Sequence, residues 1–232
     1  MFLIVEREKQ MKIIEDALRE GRSRLSEYES KLILASYGLP VTAEKLASTP
    51  AELRQAAVQI GYPLVIKACS AEMAHKTEKG LIRLDIRNDA EALTAFDEIV
   101  AHMNGTAKAV LVQQMIRGQR ELVIGLTRDP QFGPCVMFGL GGIFTEVLND
   151  TVFRVAPLEK HDALDMMQEI KAHKILEAIR GLEAVNREIL ADMLITVGRI
   201  GLENDRIKEI DINPVIISKG KPVAVDALVV LT

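Results

Sequence analysis

The chain has 232 residues, of which 48% are hydrophobic and 27% charged, and its formal net charge is −4. This length can bury a large core in one domain or two, whereas the acidic balance argues against nucleic acid or an anionic membrane as a partner. Because no apolar run approaches the roughly 18 residues of a membrane span, and charges interrupt the apolar N-terminus, neither a membrane span nor a signal peptide is predicted. The two cysteines lie in apolar runs without metal-type spacing, which indicates reduced core residues and a cytosolic protein.

The first hundred residues predict helices that alternate with strands. A helical mix of apolar and charged positions covers residues 3–20 and stops at Gly21. Three capping boxes, in each of which Ser, Thr or Asn is followed three positions later by Glu, predict three further helices. These helices are expected at 26–38, 49–61 and 88–103, and two strands are expected at 63–69 and 80–86.

A second block begins at Ala109 and predicts mostly strands. The elements expected there are strands at 109–115, 120–127 and 135–140, hairpin strands at 144–148 and 151–158, and helices at about 162–180 and 186–202. The predicted fold class is therefore α+β or mixed α/β, with an N-terminal helix (1–22), a small lobe (23–104) and a large lobe rich in antiparallel strands (105–232). The boundary is expected near residues 104–106, and a cleft between two such lobes is a common ligand site.

The last thirty residues predict a β-hairpin. Two β-branched runs flank Ser218–Lys221, which is a tight-turn signal. If the two central residues of this turn are unpaired, Asn213 falls opposite Asp226, with Cβ atoms roughly 5 Å apart. Alternation along the strand places Asp211 and Glu209 on the face of Asn213. Oxygen ligands on one face suit a hard cation such as Mg²⁺, although a solvated face of an edge hairpin is an equal alternative from this segment alone.

Three upstream features suggest contacts to a phosphorylated ligand. Lys67 interrupts an apolar strand and must reach solvent or a counter-charge such as a phosphate. His75 and Lys76 lie in a polar loop, where the histidine could accept a phosphoryl group or could simply be exposed. Gly141 and Gly142 would let the backbone approach phosphates closely, but their segment is neither a Walker A motif nor G-x-G-x-x-G.

Other polar residues have an ordinary alternative beside a functional one. Gln113 and Gln114 lie near Glu121 at the join of two strands, where backbone amides could contact an adenine edge and the carboxylate could hold ribose hydroxyls. Strand-end polarity explains the same pattern. Arg154 is either a further phosphate ligand or an exposed strand residue.

Taken in chain order, the same segments resemble one family. The matching segments are Ser26–Glu29, Tyr37–Pro40, Gly61–Lys67, His75–Lys76, Leu111–Gln114, Arg120–Leu122, Gly139–Phe144, Phe153–Pro157 and Glu209–Pro214. They span nearly the whole chain, which is similar to the β subunit of ADP-forming acyl-CoA synthetases (acetate–CoA ligases, ADP-forming). These are ATP-grasp proteins related to the succinyl-CoA synthetase β subunit, so the resemblance implies an ATP-grasp fold whose two lobes clamp a nucleotide.

The resemblance also implies roles for individual residues. Those roles are nucleotide phosphate contacts for Lys67 and Lys76, a phosphoryl relay for His75, nucleotide binding for Gln113, Gln114, Met115, Ile116 and Glu121, and Mg²⁺ binding for Asn213 and Asp226 with Asp211 close by. The implied reaction is acyl-CoA + ADP + phosphate = carboxylate + ATP + CoA, with a CoA-binding α subunit as partner and two copies of each chain. Since nothing in this chain resembles the CoA-binding part, we expect it to bind nucleotide alone without making acyl-CoA.

Two other interpretations remain. The family has a pair of glycines after His-Lys-x-x-x, whereas this chain has Lys79-Gly80-Leu81, which would fit a regulatory nucleotide-binding subunit that has lost catalysis. An ATP-grasp ligase that acts alone on a small acid and an amine is disfavoured, because no separate substrate lobe remains once the nucleotide-binding parts are assigned.

Overall fold

The computed structural model describes residues 2–69, 81–103, 108–142 and 150–232, with side chains from residue 11 onward. The helices of these residues are α1 (Phe2–Arg19), α2 (Glu27–Ser36), α3 (Pro50–Ile60), α4 (Asp89–His102), α5 (Lys160–Glu169) and α6 (Arg187–Glu203). The strands are β1 (Glu44–Ala47), β2 (Leu64–Ala68), β3 (Ile82–Ile86), β4 (Val110–Gln114), β5 (Glu121–Asp129), β6 (Gly133–Leu140), β7 (Thr151–Val155), β8 (Ile207–Ser218), β9 (Lys221–Ala224) and β10 (Leu228–Leu231). The expected mixture of helices and antiparallel strands is confirmed.

The chain forms two compact units whose limits differ from the expected lobes. The smaller unit comprises residues 26–28 and 42–115, and the larger one comprises residues 1–25, 29–41 and 116–232. The expected boundary at 104–106 lies outside the described residues. The smaller unit extends to Met115 because β4 pairs with both β1 and β2, and the N-terminal helix belongs to the larger unit rather than standing apart.

The smaller unit is a four-stranded antiparallel sheet in the order β1-β4-β2-β3. Alternate residues of β2 and β4, together with the apolar sides of α3 and α4, form its hydrophobic core. Both helices begin at the predicted caps: Thr49 Oγ1 accepts the Glu52 N–H at 3.2 Å, and Asn88 Oδ1 accepts the Glu91 N–H at 3.0 Å. Lys67 lies on the opposite face of β2 and is therefore not part of this hydrophobic core.

The larger unit contains a six-stranded sheet in the order β10-β8-β5-β6-β7, with β9 also paired to β8. All of these pairs are antiparallel. One face of the sheet packs on α5, α6 and apolar residues of α1 and α2, which together form one buried cluster. Of the described helices, none is long and apolar enough to cross a membrane.

The helix expected at 162–180 is wrong beyond residue 169. The helix α5 ends at Glu169, a 3-10 turn follows at His173–Leu176, and the chain is irregular up to α6. Two side chains bind this backbone: a carboxylate accepts two N–H groups at 2.7 and 2.8 Å, and a buried guanidinium donates to three carbonyls. These contacts join Asp150 to Lys171 and Ala172, and Arg120 to Ile175, Glu177 and Glu183. The N–H groups of Lys171 and Ala172 and the carbonyl of Ile175 are groups that a continuing helix would pair internally.

Three smaller differences concern strands. The sequence did not predict β1, whose four residues include two charged ones. The strand β7 ends at Val155 instead of Leu158. The strand expected at 144–148 lies outside the described residues.

Candidate functional site

The C-terminal hairpin has the register that its turn predicts. The strand β9 pairs with β8 up to an interruption at residues 225–227, after which β10 continues along β8 in the same register. On one side of the interruption, Ser218 lies opposite Lys221 and the pairing continues to Val215 opposite Ala224. On the other side, Asp211 lies opposite Leu228 and the pairing continues to Glu209 opposite Val230. Asn213 and Asp226 therefore lie in the middle of the interruption, on the two opposing segments of the hairpin.

Asn213 and Pro214 form a β-bulge in β8. The register of β8 against β5 shifts by one residue at this place, so β8 holds one residue more than its neighbour. A bulge re-aims the side chains on either side of it. Here it allows Ile212 and Val215, three positions apart, both to be buried in the core, while Asn213 remains only partly buried.

Carboxylates gather beside Asn213. Burial first, and then the negative charges of Glu209 and Asp226, raise the pKa of Asp211 to about 6. No group of three His, Cys, Asp or Glu side chains within the described ranges is arranged to hold a metal ion by itself. Because Mg²⁺ keeps several waters and is usually bound through one or two carboxylates plus substrate phosphates, these oxygens fit an ion that arrives with a nucleotide.

The turn at Gly141 and Gly142 orients Asn213. The Gly142 N–H donates to Asn213 Oδ1 at 3.3 Å, and a second lone pair on that oxygen is left for another partner. Gly142 has a φ of +64°, and a Cβ built there would lie 2.2 Å from Glu121 Oε2. At Gly141 a Cβ would lie 2.6 Å from the Leu122 carbonyl oxygen. The two glycines therefore allow the turn to pass directly over the start of β5, where Glu121 lies.

Gly142, Asp211 and Asn213 line a pocket of about 350 Å³ in the larger unit. Its lining side chains include the apolar Val123, Met137 and Phe153 and the polar Thr127, Glu209, Asp211 and Asn213. Sequence reasoning did not name the apolar part. A signal was present, because alternation along β5 places residues 123, 125 and 127 on the face of Glu121.

In the smaller unit, Lys67 is buried beside a counter-charge. Its side chain is 3% exposed, and its ammonium forms an ion pair with the carboxylate of Glu27, which is 2% exposed. The need for a counter-charge is thus met within the chain by a residue that sequence reasoning missed, since no pattern links positions 27 and 67.

The segment from Gln113 to Ile116 has fewer available amides than the sequence suggested. Gln113 is buried, and Gln114 is exposed. The Gln114 N–H donates to the Ala43 carbonyl at 2.9 Å, and the Met115 N–H donates to the Pro63 carbonyl at 3.2 Å. An adenine edge at this segment would therefore have to use groups other than these two N–H donors.

The remaining predicted residues are not brought to the pocket. Arg154 forms an ion pair with Glu169 of α5, because alternation along β7 turns it to the side opposite the pocket-lining Phe153. Its role as a phosphate ligand stays a prediction. His75 and Lys76 lie outside the described residues, as do residues 79 and 80 of the unusual loop.

The two antiparallel sheets, one with a buried lysine and the other with an amide and carboxylates close together, fit the ATP-grasp fold that the resemblance implies. A family model described as an ATP-grasp domain matches residues 16–231. The chain belongs to the ATP-grasp family, in the branch that contains β subunits of ADP-forming acetate–CoA ligases.

Individual relatives show how far the similarity extends. The chain is 45% identical to the β subunit of ADP-forming acetate–CoA ligase I of Pyrococcus furiosus, over 96% of this chain and 98% of that subunit. It is 39% identical to ADP-forming acetate–CoA ligase I of Archaeoglobus fulgidus, over 98% of this chain but 34% of that longer protein. Acetyl-coenzyme A synthetase 1 of Ca. Korarchaeum cryptofilum, solved with coenzyme A and Mg-AMPPCP, matches with a TM-score of 0.86 and 42% identity, over 96% of this chain and 100% of that chain.

Breaking the Glu27–Lys67 pair is expected to destabilise the fold more than removing both charges. Either Glu27→Leu or Lys67→Met alone leaves a buried charge without this ion-pair partner and should lower the free energy of unfolding by about 3–5 kcal/mol. The double variant replaces the pair with apolar groups of similar size and should lose much less than the sum of the two single losses. Urea denaturation of the four proteins measures this coupling.

The exposed pair Lys160–Glu188 provides the matched control. Its side chains are 59% and 66% exposed, so Glu188→Leu should leave the urea midpoint unchanged. Additive losses in the Glu27 and Lys67 variants would show that the buried pair is not coupled.

Proposed function

We propose that this chain is the nucleotide-binding subunit of an ADP-forming acyl-CoA synthetase, an acid–thiol ligase, and that it moves a phosphoryl group between a phosphohistidine and ADP or ATP. The observation that carries this proposal is the match to a β subunit of such a ligase along 98% of that subunit. A match to the nucleotide-binding segments alone would support only a generic ATP-grasp domain. The net reaction would be acyl-CoA + ADP + phosphate = carboxylate + ATP + CoA.

In this proposal, Asn213 and Asp226 hold Mg²⁺, with Asp211 beside them. The orientation of Asn213 by the Gly142 N–H and the carboxylates crowded around Asp211 support this assignment. A solved relative contains Mg-AMPPCP, which supports a nucleotide bound together with Mg²⁺ as the ligand. When bound, Mg²⁺ would neutralise negative charge on the nucleotide phosphates during phosphoryl transfer.

The other residues bind and orient the nucleotide. Lys67 and Lys76 would contact the phosphates, the backbone at Gly141 and Gly142 would lie against them, and Arg154 would be an additional phosphate ligand. Glu121 and the segment 113–116 would hold the nucleoside. Little covalent work then falls on this chain, since positioning and charge neutralisation account for most of the catalysis of phosphoryl transfer.

His75 is the residue of this chain that we assign to phosphoryl relay. In that step the N–P bond of a phosphohistidine breaks while an O–P bond forms to the terminal phosphate of ADP, and the imidazole retains the electron pair of the broken bond. The related structure from Ca. Korarchaeum cryptofilum is described with a phosphohistidine segment pointing towards the nucleotide-binding site.

A CoA-binding α subunit is the partner that the reaction requires, in a complex with two copies of each chain. The Archaeoglobus fulgidus relative supports this division of labour, because this chain corresponds to 34% of its length. The remaining parts of that ligase lie outside the region that matches this chain. The partner would supply the acyl and CoA sites.

Reconstitution with the α subunit tests the function. The purified chain is mixed with the α subunit encoded in the same genome, and ATP formation from acetyl-CoA, ADP and phosphate is measured. We expect ATP formation only when both chains are present, and loss of most of that activity in His75→Ala. Nucleotide binding without any activity would favour the regulatory interpretation, and full activity of His75→Ala would remove the relay role.

Removal of either main oxygen ligand is expected to weaken binding of the metal–nucleotide complex without unfolding the chain. Asn213→Ala and Asp226→Ala should each bind Mg-AMPPCP at least about 10-fold more weakly, while AMPPCP binding in EDTA changes little. Calorimetric titration measures both affinities, and circular dichroism checks the fold. Unchanged Mg-AMPPCP affinity in both variants would return the hairpin to a solvated structural role.

A matched pair of glycine variants separates backbone strain from displacement of Glu121. Gly142 and Gly133 both have a positive φ, but only at Gly142 would a Cβ meet another atom, the flexible end of the Glu121 side chain. Both Gly142→Ala and Gly133→Ala should lower the free energy of unfolding by about 1–2 kcal/mol. Only Gly142→Ala should weaken Mg-AMPPCP binding, because only there must the carboxylate move. Equal nucleotide affinity in the two variants would contradict a role for Glu121.

A further inference from the structure

The interruption at residues 225–227 leaves one backbone group without its ladder partner. The Val225 N–H donates to the Pro214 carbonyl at 3.0 Å. In a regular antiparallel ladder, two residues in a hydrogen-bonded pair exchange two bonds, so the N–H of residue 214 would donate to the Val225 carbonyl. Proline has no N–H, so the sheet cannot supply that donor.

Lys31 of α2 supplies the missing donor. Its side chain is 1% exposed, and its Nζ donates to the Val225 carbonyl oxygen at 3.0 Å across 194 positions of sequence. A hydrogen bond from an ammonium is charge-assisted and stronger than the neutral ladder bond that it replaces. Burial of a lysine ammonium is unfavourable unless it is hydrogen-bonded in this way. The contact with the Val225 carbonyl therefore explains why Lys31 is buried and not exposed at the surface.

The contact acts directly on the backbone that carries Asp226. The Val225 carbonyl and the Asp226 N and Cα belong to one planar peptide unit. Fixing the oxygen of that plane therefore restricts the direction in which the Asp226 side chain leaves the chain. The neighbouring residue on α2, Ser30, accepts the Val229 N–H at 3.0 Å, so the helix holds the segment on both sides of Asp226.

We propose that Lys31 is a positioning residue for the metal site and that it holds Asp226 in the orientation that binds the cation together with Asn213. It acts on the backbone that carries Asp226. The inference rests on the proposed function, since it takes Asp226 to be a metal ligand. A residue that orients a metal ligand typically contributes about 10- to 100-fold to metal affinity.

The test uses the full chain with ADP and Mn²⁺, and free Mn²⁺ is counted by electron paramagnetic resonance. Lys31→Met is expected to bind Mn²⁺ in the ADP complex about 10- to 100-fold more weakly than wild type, while ADP affinity in EDTA stays within about twofold. Lys31→Arg keeps a charged donor and should recover most of the Mn²⁺ affinity. Lys31→Ser, whose hydroxyl is too short to reach the Val225 carbonyl, carries the same expectation as Lys31→Met if the latter does not fold.

Arg128→Met is the matched control for a merely structural loss. Arg128 also donates to backbone carbonyls of the larger unit, at Gly201, Asn204 and Ile207, but not to the segment at 225–227. Both variants should have a lower Tm, whereas only Lys31→Met should lose Mn²⁺ affinity. Wild-type Mn²⁺ affinity in folded Lys31→Met or Lys31→Ser would overturn the positioning role.

A parallel measurement on Asn213→Ala separates the two levels of the proposal. Loss of Mn²⁺ binding in Asn213→Ala, with none in Lys31→Met, would overturn the role of Lys31 and leave the metal site standing. Failure of the wild-type chain to bind Mn²⁺ with ADP would overturn the proposed function and the role of Lys31 together.

Discussion

The bulge at Asn213 and Pro214 is the constraint on which the larger unit depends. In a regular twelve-residue strand, residues 211, 213, 215 and 217 would all share one face. The structure instead buries Val215 and Ile217 in the core, while Asp211 and Asn213 stay on the opposite face. A one-residue slip turns every later side chain over, so the bulge keeps Asp211 and Asn213 on one face while Val215 and Ile217 join the hydrophobic core on the other.

A proline in an interior strand has consequences beyond the bulge. The strand β8 lies between β5 on one side and β9 and β10 on the other, where every missing N–H leaves a carbonyl without its bond. An unsatisfied buried acceptor costs about 1–3 kcal/mol, and here a lysine from α2 removes that penalty. The bulge, the interruption opposite it and the buried Lys31 together therefore accommodate Pro214 within the sheet.

The parts of the structure that could be predicted are those encoded locally. The turn at Ser218–Lys221 correctly predicts the register of ten residues on either side, because turn length fixes pairing at short range. The caps at Thr49 and Asn88 are equally local. The early end of α5 was missed because the competing bonds come from side chains at positions 120 and 150, and Glu27 was missed because its partner lies forty positions away. Contacts between residues far apart in sequence leave no periodic pattern to read.

The choice of ligands at the hairpin indicates which form of cation the site would suit. Burial, and after it the negative charges of Glu209 and Asp226, raise the pKa of Asp211, and a bound cation would offset both effects. Each additional carboxylate would also repel the phosphates of an approaching nucleotide. An amide at position 213 adds an oxygen donor without adding charge, and its orientation is already set by the Gly142 N–H, so less side-chain freedom is lost on binding. A mixed amide and carboxylate set is therefore better matched to a metal–nucleotide complex than to a free divalent ion, which a cage of carboxylates would bind more strongly.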